Sequence, residues 1–119
     1  MPNFETFGNF INRKRLEQKV SLRYISLKIG ISPVYLSEME NGKKTNPSSE
    51  IMRKMISVLC LDEEGTALFF DLHAKANGII SQDLPEYIMG SGIVRKALRK
   101  AKKKPATEKN WQDFIDKLD

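Results

Sequence analysis

Between Ser21 and Lys44 the sequence alternates helix starts and helix stops so closely that only two short helices fit. Ser21 can act as an N-cap, its hydroxyl accepting from a free backbone N–H of the first turn. Leu22, Ile25 and Ile29 then recur at spacings of three and four, one apolar stripe on a helical face. Gly30 follows the last of them and permits the positive φ at which helices commonly end. Ser32 offers a second cap, and Pro33 takes the first helical position, where its missing N–H costs nothing. Of the residues that follow, Leu36 and Met39 suit a core, and Tyr35 partly so. Asn41-Gly42 then closes the second helix.

Such a pair of helices also fits a hairpin inside any helical bundle. Its helix lengths and Gly-x-Ser-Pro turn favour a helix-turn-helix, which lays its second helix in the DNA major groove. The residues Ile25, Gly30, Ile31-Ser32-Pro33, Tyr35-Leu36-Ser37, Glu40-Asn41-Gly42-Lys43 and Pro47-Ser48 resemble the Cro/repressor-type (XRE) helix-turn-helix family. The resemblance runs from Phe7 to Leu61. It implies five helices in one small domain, the third of which reads DNA. It further implies that Ser32, Tyr35, Asn41 and Lys43 lie near the DNA backbone, and that Arg15 and Glu40 form a structural ion pair between helices one and three. Ser26 departs from the family's usual alanine, but a hydroxyl still fits a tight helix crossing.

Strand-like alternation is absent, so the expected fold is all-α: a five-helix repressor-like domain over residues 1–78, with a helical extension over 79–119. Helix one is predicted from Glu5 to Gln18, with Phe7, Phe10, Ile11 and Leu16 on its apolar face. Ser48 caps helix four, from which Ile51, Met52, Met55, Ile56 and Leu59 pack inward. Helix five starts after Asp62 and runs through Leu68, Phe69 and Leu72 to Asn77, where Gly78 stops it. A short helix at Glu86–Met89 opens the extension. A basic helix with the stripe Ile93, Val94, Ala97, Leu98 and Ala101 follows and ends at Pro105. Thr107 is a cap, with Asn110 where a capping box has Glu. Trp111, Phe114, Ile115 and Leu118 fall at i, i+3, i+4 and i+7, an amphipathic helix that must bury its aromatic face somewhere. Its partner is its own domain, a second copy in a homodimer, or another protein.

The net charge of +5 is unevenly spread. Residues 1–60 carry ten Lys/Arg against five Asp/Glu, residues 61–92 one against six, and residues 93–119 nine against four. Two basic segments therefore flank an acidic one, a distribution that attracts phosphate backbones. The one cysteine, Cys60, sits in an apolar run and reads as a small buried hydrophobe. The one histidine, His73, has no second ligand nearby in sequence, so neither a zinc site nor a cofactor is expected. No nucleophile–base set or glycine-rich phosphate loop is present, which argues against an enzyme with catalytic residues. The N-terminus lacks an apolar run and no segment is long enough to span a membrane, so a cytoplasmic protein without a membrane partner is expected.

On the helix-turn-helix geometry, Pro33, Val34, Ser37 and Glu38 face outward from helix three. Ser37 can meet either kind of base edge, Glu38 can accept from a cytosine amino group, and Val34 can touch a thymine methyl. Arg23, Tyr35, Asn41, Lys43 and Lys44, with Ser32 and the backbone N–H groups at the starts of helices two and three, are the expected phosphate contacts. The expected function is that of a sequence-specific regulator of transcription on double-stranded DNA, a repressor acting as a homodimer. The alternative is an antitoxin that binds a partner protein and represses its own operon.

Overall fold

A computed structural model describes residues 5–119 as eight helices, with no strand among the described residues. The described chain divides into two compact units, one ending at Gln82 and one running from Asp83 to Asp119. The first holds α1 (Phe7–Glu17), α2 (Leu22–Ile29), α3 (Pro33–Glu40), α4 (Ser49–Val58) and α5 (Glu63–Asn77). The second holds α6 (Pro85–Met89), α7 (Gly92–Lys103) and α8 (Glu108–Lys117). Residues 79–82 belong with the first unit because local bonds tie them there. Ile79 N–H donates to Ala74 O, the buried Ser81 hydroxyl donates to Asp71, and Ser49 Oγ lies 3.1 Å from Gln82 Oε1.

Side-chain caps begin all five helices of the first unit: Thr6, Ser21, Ser32, Ser48 and Asp62 each accept from the backbone N–H three residues on. Each such bond satisfies a donor the helix cannot, a contribution of about 1 kcal/mol. Gly30 at φ 87° and Gly78 at φ 65° close α2 and α5 in the left-handed conformation. In α8 the Asn110 side chain accepts from Thr107 N–H while Thr107 accepts from Asn110 N–H. Asparagine thus completes the reciprocal box that glutamate usually supplies.

The core of the first unit is drawn from every helix: Phe7, Phe10 and Ile11 of α1, Ile25 and Ile29 of α2, Leu36 and Met39 of α3, Met52 and Met55 of α4 with Leu59 just beyond it, and Phe69 and Leu72 of α5. The rings of Phe7 and Phe10 stack on Phe69 at 5.2 and 5.8 Å between centroids. Ser26 is buried on α2, and its hydroxyl donates to Arg23 O.

Two expectations about the core are corrected. Leu16 is 56% exposed, because it lies six residues after Phe10, about 120° round the helix from it. Cys60 is exposed rather than buried. The last inward position of that segment is Leu59, and Cys60 turns out of the helix at φ 54°.

His73 is fully buried on α5, its ring edge-on to Phe7 at 5.4 Å. Its Nε2–H donates to Asn46 Oδ1 at 3.0 Å, and Nδ1 is buried without a hydrogen-bond partner among the described residues. Burial therefore pushes its pKa below the usual histidine value. Below about pH 6.5 the unfolded chain binds a proton that the folded one refuses, so stability falls as the pH drops from there. Glu5, held below the usual carboxylate range by its hydrogen bonds from Arg13, adds a loss of the same sign further down the acid scale. His73→Gln is expected to flatten the decline in melting temperature between pH 7 and pH 5. An unchanged decline would mean that other groups set the acid limb.

Candidate nucleic-acid interface

The surface of α3 that the core does not use is small and coherent. Pro33, Val34, Ser37, Glu38, Asn41 and Lys43 line one shallow concavity. The 3.6-residue repeat explains the grouping, since Leu36 and Met39 anchor the opposite face of the helix at zero exposure. Val34 stands at the lip, 67% exposed. Ser37 and Glu38 are half-buried, and no ion pair engages Glu38 among the described residues.

The remaining candidates lie outside that concavity. Arg23 is exposed in the first turn of α2, and Lys44 is exposed just past Lys43. Ser32 is committed to capping: its hydroxyl accepts from Tyr35 N–H at 3.0 Å. Tyr35 is half-buried against the core. The expected backbone donors are fewer at α3 than at α2. Pro33 has no N–H and that of Tyr35 is capped, leaving Val34 the open amide in the first turn. At α2, Leu22 and Arg23 both precede the first intrahelical bond.

The turn after α3 is fixed from both sides. Lys43 and Lys44 N–H both donate to Glu38 O, at 2.9 and 3.1 Å, and Asn41 Oδ1 accepts from Lys43 N–H at 3.1 Å. The amides of both lysines are thus consumed within the turn, and their ammonium groups are what remain to meet an anion. On the other side, the end of α5 grips Thr45 and Asn46. Asn77 Nδ2 donates to Thr45 O at 2.7 Å and to His73 O at 2.8 Å, while Thr45 Oγ1 donates to Asn77 Oδ1 at 3.1 Å. With His73 on Asn46, these bonds position the lysine-bearing loop. In the sequence Asn77 is only the last residue of a helix, and no local pattern marks a bond across 32 residues.

Arg15 and Glu40 join α1 to the end of α3. Arg15 Nε donates to Glu40 Oε2 at 2.8 Å and Nη2 to Oε1 at 3.1 Å, while Nη1 donates to Val20 O at 2.8 Å. Asn12 Nδ2 adds a 2.8 Å bond to Glu40 Oε1. The hydrogen bonds from Arg15 raise the guanidinium's pKa further, and they occupy Glu40 entirely with scaffold contacts.

In the second unit, Trp111, Phe114, Ile115 and Leu118 share one face of α8, and each is at least 40% exposed. The Trp111 and Phe114 rings meet edge-on at 6.4 Å. No residue of α6, α7 or α8 is buried, so this unit has apolar stripes but no core of its own. Among the described residues, no helix is long and apolar enough to cross a membrane, and no group of three His, Cys, Asp or Glu side chains could hold a metal ion.

Residues 11–62 match the family model of the helix-turn-helix, a span from the middle of α1 to the cap of α5 that contains the whole concavity. The solved structure of a SinR protein/SinI protein complex is similar over 95% of this chain and 94% of its own, with 24% identity and a TM-score of 0.47. No curated protein matches the chain.

Proposed function

We propose, from the premise that residues 11–62 form a Cro/repressor-type helix-turn-helix and that the chain is a DNA-binding transcription regulator, that it reads a specific operator as a repressor. The observation that carries this reading is the shallow concavity that the outward face of α3 forms with its following turn. Val34, Ser37 and Glu38 supply contacts suited to base edges, and Lys43, Lys44, Arg23 and Asn41 supply donors for the phosphates that flank them. The base-facing side chains are short and include no arginine or glutamine for a bidentate grip. Phosphate contacts and DNA shape therefore carry more of the affinity than direct readout.

The unburied apolar face of α8 favours a homodimer, in which Trp111, Phe114, Ile115 and Leu118 meet their counterparts in the second copy. Two copies would present two α3 helices to half-sites about 34–36 Å apart, one turn of the duplex. The reading is of a regulator that works in the cytoplasm, and no catalytic step enters it.

Selection of binding sequences from a randomised duplex pool, followed by gel-shift titration, tests the docking. Ser37→Ala and Glu38→Ala are expected to change the selected bases. Lys43→Ala and Lys44→Ala are expected to weaken binding to every sequence and to flatten its salt dependence by about one unit per phosphate contact. Retention of the same selected bases in both Ser37→Ala and Glu38→Ala would overturn this placement of α3.

A further inference from the structure

We propose that the basic face of α7 is a second DNA-backbone surface, separate from the helix-turn-helix and indifferent to sequence. It rests on the DNA-binding reading above. The helix carries Arg95, Lys96, Arg99, Lys100, Lys102 and Lys103 and no acidic residue. At 3.6 residues per turn, Lys96, Arg99, Lys100 and Lys103 fall within about 100° of arc. Val94, Ala97, Leu98 and Ala101 lie on the far side of the helix, with Ile93 at the border of the basic arc. Each of the four cations is exposed, and none is in an ion pair among the described residues.

Arg95 has a different task. Its Nη1 donates to Ile88 O at 3.0 Å and to Met89 O at 2.5 Å, which ties α7 to the end of α6. Lys96, Arg99, Lys100 and Lys103 have no such structural occupation among the described residues. Lys96 with Lys100 and Arg99 with Lys103 are like-charge pairs at i and i+4, an arrangement that works against the helix unless an anion meets it. The two faces of α7 are segregated, so covering the apolar stripe leaves the basic row outward and accessible.

A polyanion is the partner that fits a row of unpaired cations repeating at about 6 Å along a helix. Duplex DNA is the favoured one because the same chain holds a DNA-reading domain, which keeps α7 at high effective concentration near any duplex that domain binds. That domain's own concavity is electrostatically thin, with Lys43 opposed by Glu38. The basic row of α7 adds further sequence-independent attraction to the phosphate contacts of Arg23, Lys43 and Lys44.

The test is fluorescence-anisotropy titration of the full chain on a random-sequence duplex across a salt series, against K96Q/R99Q/K100Q/K103Q. The variant is expected to bind more weakly on every duplex and to show a log–log salt slope shallower by about 3 to 4 units. Its selected operator bases should stay the same. Helicity by circular dichroism checks folding, and K96R/K100R/K103R, which keeps the charges and the arginine at 99, should retain the wild-type slope. A quadruple variant with the wild-type slope overturns the inference while leaving the helix-turn-helix reading intact. A wild-type chain that binds no duplex overturns both. Loss of binding to phosphatidylserine vesicles with an unchanged DNA slope would assign the basic row to a lipid surface and also overturn the inference.

Discussion

Glu40→Ala is expected to destabilise the first unit by about 3–5 kcal/mol, read as a fall in the urea midpoint without a change in slope. The glutamate and Arg15 are nearly enclosed, with side chains 8% and 11% exposed. Removing the carboxylate strands two Arg15 donors and the Asn12 amide, and only the bond from Arg15 to Val20 O survives. The cost is dominated by leaving a charge enclosed without its partner, not by the net worth of the pair. Replacing both residues together, Arg15→Met with Glu40→Leu, should therefore cost much less, about 1 kcal/mol or under. Arg15→Lys should fall nearer the single deletion, because an ammonium cannot reproduce the two-pronged geometry. A loss below about 1 kcal/mol for Glu40→Ala would mean that water replaces the carboxylate freely, and that the crossing of α1 and α3 is looser than its distances indicate.

The parts of the fold that could be read in advance are those whose causes are local. The caps Ser21, Ser32, Ser48, Asp62 and Thr107 each act on an N–H three residues away, and Gly30 and Gly78 act on their own backbone. The concavity was legible for the same reason, because the outward face of α3 follows from its length and from where Leu36 and Met39 must point. What failed depends on where a helix ends or on distant chain. Cys60 belongs to an apolar run, and only the stop at Leu59 turns it outward. The clamp of Asn77 and His73 on Thr45 and Asn46 needs α5 to return beside the turn after α3, a tertiary fact with no periodic signature. Gly8 is the clearest case. In sequence it is merely a poor helix former inside α1, whereas its role is set by another helix.

Gly8→Ala is expected to destabilise the first unit by about 3 kcal/mol and to lower affinity for every duplex. At an ordinary helix position the change would help, since alanine is favoured over glycine by about 1 kcal/mol. Here the sign reverses. Gly8 is buried where α1 crosses the end of α3, and a Cβ would fall against the carbonyl oxygens of Met39 and Glu40, the latter at 2.5 Å, with Glu40 C at 2.9 Å. These are backbone atoms, so no rotamer change relieves the clash, and the two helices must separate. That separation moves Glu40 away from Arg15 and shifts the start of the turn that carries Lys43 and Lys44, which links the stability loss to the DNA surface. The two substitutions should therefore couple. In a double-mutant cycle Gly8→Ala should cost less in the Glu40→Ala background than in the wild type, by about 0.5–3 kcal/mol, because the ion pair it would disturb is already gone. Strict additivity would show that the α1–α3 crossing yields at Gly8 without straining the Arg15–Glu40 pair. A Gly8→Ala protein as stable as the wild type would show that the close approach itself is absent in solution.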